Sequence, residues 1–236
     1  MDRIDKLLAS TGRWTRREAK QLIQEGRVLV DGVPAAAPEQ KADPVSACVA
    51  VDGKPLSFQK YTYVMLNKPE GVVSATEDAC QQTVLDLLPP ELRRRGLFPV
   101  GRLDKDSEGL LLLTNDGDLA HRLLSPKKHV DKVYYIRTDR PLTTEDQEAF
   151  ASGVNLADGT VCLPAGLELL GRGDEAFVTL HEGKFHQIKR MIASRGAAVC
   201  QLKRLSMGTL VLDSSLKKGE YRLLTPEEVL KIGGNG

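Results

Sequence analysis

The sequence predicts an α+β protein in two parts. A small helix-led module spans residues 1–59, and a larger domain over 60–236 is built on a mixed, largely antiparallel sheet flanked by helices. Two observations predict this. In the first thirty residues apolar side chains recur at helical spacing between capping and stop signals, whereas beyond residue 60 they gather into short runs bounded by turn formers. Between these patterns lies "DGKPLSFQK" (52–60), polar and turn-rich, which reads as a linker.

Ile4, Leu7 and Leu8 give a short amphipathic helix. "TRRE" from Thr15 to Glu18 is a capping box, in which the hydroxyl takes the third amide and the glutamate reaches back. Ala19, Leu22 and Ile23 line one face of the helix that follows, and Gly26 stops it. "RVLVDGVP" is a strand entering an Asp-Gly turn. In the larger part, "YTYVMLNKP" is a strand ended by Pro69, and "GLLLLTNDG" is a buried strand closed by turn formers. "DLAHRLLSP" reads as a short helix with Asp118 as its N-cap, and "KVYYIRTD" as a strand. "PLTTEDQEAFASG" is a helix with threonine caps and a glycine end. "FHQIKRMIASRG" is a helix stopped by Gly196, and "TPEE" at 225 opens a last helix with proline in its first turn. The order of the strands in the sheet is not legible.

Composition excludes several classes. No run approaches the roughly 18 apolar residues of a membrane span, and the charged start "MDRIDKLLAS" lacks the apolar stretch of a secretory signal. The cysteines at 48, 80, 162 and 200 and the four histidines are too scattered for a metal or redox motif, so free thiols in a reducing cytoplasm are expected. Net charge is only +1, but its distribution is uneven. Residues 1–30 hold seven Lys or Arg against four acids, and residues 183–212 hold six and no acid. Two such stretches are candidate surfaces for phosphates, with a solvated charged face as the alternative.

The segment "GRLDKDSEGLLLLTNDG" (101–117) places Arg102 two residues from Asp104 at the rim of the buried strand. A carboxylate with an ordinary pKa near 3.9 is ionised at neutral pH. If the segment is extended, Arg102 lies on the same side and favours that form further. An oxygen anion held in this way suits a nucleophile or charge stabiliser; the alternative is a turn or capping aspartate.

Two resemblances refine the reading. "RIDKLLASTGRWTRREAKQLIQEGRVLVDG" resembles the S4 (α-L) RNA-binding module, with Arg3, Arg13, Arg16, Arg17, Lys20 and Arg27 as RNA-facing candidates. The 101–117 segment is similar to the catalytic motif of the RsuA-type rRNA pseudouridine synthases. "YVMLNKPEGVVSAT" (63–76), "KVYYI" (132–136), "EGKFHQIKRM" (182–191) and "GEYRLLTPEE" (219–228) match that family in order. Ser107-Glu108 and Val133 depart from it, and neither departure touches a residue assigned to chemistry.

The family resemblance implies a role for each matching position. Asp104 is the catalytic aspartate of a reaction that breaks the N1–C1′ bond of a uridine, turns the uracil over and rejoins it through C5. Whether the carboxylate attacks C1′ or assists a glycal stays open. Arg102 would pair with Asp104 in the empty site and replace the everted base in the stack. Tyr134 would stack on the flipped uracil and assist proton transfer; "KVYYI" alternates so that Tyr134 and Ile136 share a face. Lys189 would hold Asp104, and Leu202 would pack beneath the base. Lys184, Arg190 and Arg204 are further RNA-binding candidates, whereas His186 reads either as an RNA contact or as an ordinary helix-start histidine, the second being the simpler. No cofactor or metal is required. The expected partner is ribosomal RNA, free or in an assembly particle, most simply of the small subunit, met by a monomer in the cytoplasm.

Three alternatives belong beside this reading. One is a synthase for large-subunit rRNA, and another is a non-catalytic S4-type assembly factor. The third is a carboxylate glycosidase, which needs a second carboxylate that only Asp106 or Glu108 offers nearby.

Overall fold

The computed structural model describes residues 1–125, 128 and 130–234. The chain divides into two compact units, Met1–Thr62 with Leu88–Leu97, and Tyr63–Leu87 with Phe98–Gly236.

In the first unit, helices Ile4–Ser10 and Arg16–Gln24 follow the apolar spacing. The capping box forms: the Glu18 amide donates to Thr15 Oγ1 at 3.2 Å, and the Thr15 amide donates to Glu18 at 2.6 Å. Ile4, Leu8, Ala19 and Ile23 close onto Val28, Val49 and Val51. Strand Val28–Val30 turns through Asp31-Gly32, both at positive φ, into Val33–Pro34, as a two-residue hairpin requires. The expected linker is corrected. Asp52-Gly53 makes a second turn of the same kind between Val49–Val51 and Lys54–Pro55, while Leu56 and Phe58 pack on this core. Its polar composition hides a hairpin because short edge strands need few apolar residues.

Leu88–Leu97, read from sequence as part of the larger domain, packs within the first unit. Leu88 and Leu97 are buried, and the Arg95 guanidinium donates to Thr11 O at 3.0 Å and to Thr62 Oγ1 at 2.8 Å.

The second unit is a nine-stranded sheet. Its path runs Gly166–Leu170, Glu175–Leu180, Lys132–Thr138, Val199–Met207, Glu108–Thr114, Tyr63–Lys68 and Tyr221–Leu223. Leu210–Val211 adds to Val199–Met207, and Phe98–Pro99 adds to Glu108–Thr114. Neighbours are antiparallel except Val199–Met207 beside Glu108–Thr114, where Arg204 faces Gly109. Gly109 sits at φ 103°, and a Cβ there would lie 2.3 Å from Arg204 O, so this close approach requires glycine.

Every residue of Glu108–Thr114 is buried, as the apolar run implies. The helix after it, Gly117–Leu124, is capped by Asp116 rather than Asp118. Asp116 Oδ1 accepts the Leu119 amide at 3.0 Å, and Asp118 lies in the first turn; the expected end of this segment, Pro126, falls outside the described residues. Helices Thr144–Ser152 and Gln187–Ser194 bury Phe150, Ile188, Met191 and Ile192 in one core with Tyr134, Ile136 and Leu202. A second core joins Met65, Leu110 and Leu112 to Leu119 and Leu123, and to Ile232 of the last helix, Pro226–Gly234. Among the described residues no helix is long and apolar enough to cross a membrane.

Candidate active site

The site forms where the loop entering the buried strand Glu108–Thr114 meets the start of helix Gln187–Ser194. The loop is fixed from below by the segment after Tyr63–Lys68. Lys68 is fully buried, and its ammonium donates to four backbone carbonyls, Pro69 O (3.0 Å), Asp104 O (3.0 Å), Lys105 O (3.4 Å) and Ser107 O (2.8 Å). Ser74 Oγ donates to Leu103 O at 2.8 Å and accepts the Leu103 amide at 3.1 Å. The Ser107 amide returns to Asp104 O at 3.1 Å, closing a turn. The backbone on both sides of Asp104 is therefore tied down, which leaves its side chain to the groove. Burial pushes the Lys68 ammonium down to about 8, and the surrounding carboxylates only partly oppose this.

Asp104 meets two cationic or proton-bearing groups. Lys189 Nζ lies 3.1 Å from one carboxylate oxygen, and His186 Nε2 lies 3.5 Å from the other. Lys189 also reaches Asp106 at 2.5 Å. Burial works against the Lys189 charge, but Asp106 and Asp104 outweigh it and raise its pKa, while the bond from Lys189 holds Asp106 low. The lysine is thus a fixed cation between two carboxylates.

Around this cluster lies a cavity of about 80 Å³ whose lining includes Arg102, Asp104, Tyr134, His186 and Leu202. A wider groove of about 700 Å³ shares Arg102, Asp104, Lys184 and His186 with it. Tyr134 and Leu202 are buried on neighbouring strands, with Tyr134 opposite Arg204 and Ile136 opposite Leu202. Asp104, Lys189, Tyr134 and Leu202 thus converge. Arg102 lines the same cavity, but the expected pairing with Asp104 does not form: among the described residues the ion pairs of Asp104 are with Lys189 and His186. The turn that Lys68 and Ser74 impose on the loop breaks the extended geometry which that pairing assumed.

His186 is corrected from an ordinary helix-start residue to a member of the site. It takes the left-handed conformation (φ 49°), unusual for a residue with a side chain, and this carries its ring toward Asp104. Lys68 is the other residue that sequence reasoning missed. The only local signal was a lysine ending an apolar strand.

The basic candidates separate into groups. Arg13, Arg16, Arg17 and Lys20 are exposed and, among the described residues, have no ion pair. Arg3 is tied to Asp5 and Glu39, Arg27 to Asp52 and Glu25, and Arg190 to Asp158. Lys184 pairs with Glu182 and donates to Val161 O, although it still lines the groove. Arg204 is corrected from a surface RNA candidate to a core residue: it is 2 % exposed, and its Nε donates to Leu110 O at 2.8 Å. Period-two alternation turns Arg204 inward with Leu202 and leaves Lys203 less covered.

Residues 62–194 match the family model described as RNA pseudouridylate synthase, and residues 2–44 match that of the S4 domain. The chain belongs to the RNA pseudouridylate synthase family. Among its relatives, an uncharacterized RNA pseudouridine synthase of Bacillus subtilis, YtzG, is 48 % identical over 96 % of each chain. The ribosomal small subunit pseudouridine synthase A of Vibrio cholerae is 41 % identical over 98 % of this chain and 99 % of its own, and that of Escherichia coli is 39 % identical over the same shares. A solved pseudouridylate synthase superposes with a TM-score of 0.70 at 34 % identity, covering 98 % of this chain and all of that one. The synthase therefore joins an S4 domain to a catalytic domain with an α+β fold.

Proposed function

We propose that this synthase converts a specific uridine of small-subunit ribosomal RNA to pseudouridine, with Asp104 as the group that acts at the sugar. The observation that carries this reading is an ionisable carboxylate held between Lys189 and His186 at a cavity lined by Tyr134 and Leu202. The choice of substrate is supported by full-length relatives in Vibrio cholerae and Escherichia coli whose names specify the small subunit.

The residue roles are those that the resemblance to the family implies, and the convergence of Asp104, Lys189, Tyr134 and Leu202 supports them. Cleavage of the N1–C1′ bond leaves an electron pair on uracil N1 and positive charge at C1′. Asp104 stabilises that charge, by bonding to C1′ or by assisting loss of the neighbouring proton. Lys189 positions the aspartate. The uracil turns over between Tyr134 and Leu202; C5 bonds to C1′ as the Asp104–C1′ bond breaks, or as the glycal regains its proton at C2′; the C5 proton then leaves and N1 takes up a proton. Electrons and atoms balance within the nucleotide, so the reaction needs no metal or redox cofactor. Arg102 lines both cavity and groove without holding Asp104, and it would fill the gap left by the everted base, as the resemblance implies.

The S4 domain, read over residues 1–59, would hold the RNA backbone through Arg13, Arg16, Arg17 and Lys20, and residues 60–236 would carry the chemistry. The protein acts as a monomer in the cytoplasm, on free rRNA or an assembly particle. Pseudouridine mapping of rRNA from cells with and without the gene tests the substrate: one small-subunit site should disappear. Loss confined to large-subunit rRNA would overturn the choice.

Replacing Arg16, Arg17 and Lys20 together by glutamine is expected to weaken RNA binding and reduce the slope of log K against log salt. The reduction should be about 0.7 to 0.9 for each phosphate that is no longer neutralised. Equilibrium binding from low to moderate salt measures this, and an unchanged slope would remove the helix from the RNA interface.

A further inference from the structure

Phe185 is 71 % exposed, whereas the other four phenylalanines are buried or half-buried. One face is covered: the ring lies parallel to the imidazole of His186, with centroids 3.8 Å apart and an interplanar angle of 18°. His186 in turn reaches Asp104 at 3.5 Å. The pair forms a small aromatic stack whose inner member touches the proposed catalytic carboxylate and whose outer member faces water. The strain of the left-handed His186 backbone is maintained in building it.

The surroundings indicate what covers the outer face. Phe185 lines the 700 Å³ groove together with Arg102, Lys105 and Lys184, and on its other side borders an apolar groove with Leu156 and Ala193. A flat π-face in a groove with a partly basic rim, Arg102 and Lys105 beside a Lys184 that is paired with Glu182, suits a base attached to a phosphodiester backbone. A protein partner would be favoured by a broader apolar patch without that rim.

We propose that the open face of Phe185 is a stacking platform for the nucleobase next to the target uridine in the RNA strand, which orders the strand as the uridine is everted into the cavity. This rests on the proposed function. Stacking on an aromatic is tolerant of base identity but needs a planar partner, so the platform contributes to grip rather than to choice of letter. Phe185 touches no reacting atom in this scheme and is a positioning residue.

The test uses the full-length protein and a synthetic RNA spanning the mapped uridine, with an abasic residue at either neighbour in turn. Phe185→Leu keeps an apolar side chain, and the exposed position leaves the fold intact. It should raise KM about 5- to 150-fold, with kcat at saturating RNA changed less than about twofold; Phe185→Trp should restore KM. With wild type, one of the two abasic RNAs should show the same rise in KM, and Phe185→Leu should add nothing further on that RNA. A wild-type KM for Phe185→Leu, or losses that multiply at both neighbours, overturns the platform. A wild type without synthase activity overturns the proposed function and this inference with it, whereas an active wild type matched by Phe185→Leu overturns the inference alone.

Discussion

Asp104→Asn is expected to reduce pseudouridine formation by at least about three orders of magnitude while leaving RNA affinity within a few-fold. The amide keeps the shape of the carboxylate but supplies neither the anionic charge needed at C1′ nor a competent nucleophile. The fold tolerates the change because the loop is held by its backbone: the Asp104 carbonyl bonds Lys68 and the Ser107 amide. Lys189 also keeps an anionic partner in Asp106. Tritium release from uridine C5 in a labelled transcript measures the chemistry, and filter binding measures affinity. Activity near the wild-type rate would remove Asp104 from the reaction, and loss of binding in parallel would make it a structural residue.

Lys68→Met should produce the second large effect. The methionine fills the space but leaves four backbone carbonyls without the ammonium that joins them. Each buried acceptor left unpaired costs about 1–3 kcal/mol, offset by no longer burying a charge, so a net loss of about 2 kcal/mol is expected. Activity should fall further than stability accounts for, by about 10²-fold, because the loop that carries Asp104 loses its anchor.

The pH dependence identifies the cause. Burial places the Lys68 pKa at about 8, below its unfolded value near 10.5. The folded state therefore binds fewer protons than the unfolded state between those values, and wild-type stability relative to Lys68→Met should rise as pH increases from 8 to about 10.5. Chemical denaturation of both proteins across this window checks it. A flat difference would mean that the lysine is solvated.

The helices were legible because their signals are local. Thr15 with Glu18, and Thr143 with Asp146, cap their helices through residues three apart, and Gly153 supplies the stop. The strand Glu108–Thr114 was legible because both of its faces are covered, so its apolar run is unbroken. Strand Val199–Met207 was hidden by its charges. "LKRL" reads as a basic surface, and only the pleat decides that Arg204 is inside.

The candidate site divides in the same way. Asp104, Tyr134, Lys189 and Leu202 stand in motifs whose order along the chain resembles a known family. Lys68 and His186 do not reveal themselves. The partners of Lys68 are carbonyls, three of them 36 to 39 positions away along the chain, and the reach of His186 depends on a backbone angle that no residue pattern specifies.

The segment Leu88–Leu97 makes the N-terminal unit discontinuous. During vectorial synthesis that unit cannot finish folding when residue 62 leaves the ribosome. It waits for a ten-residue insertion to arrive from inside the catalytic sequence. A fragment cut at residue 60 would strand Leu88 and Leu97 without the surface that buries them, and the shortened N-terminal piece would lack the arginine that bridges Thr11 and Thr62. The two units of this synthase are therefore interleaved as polymers.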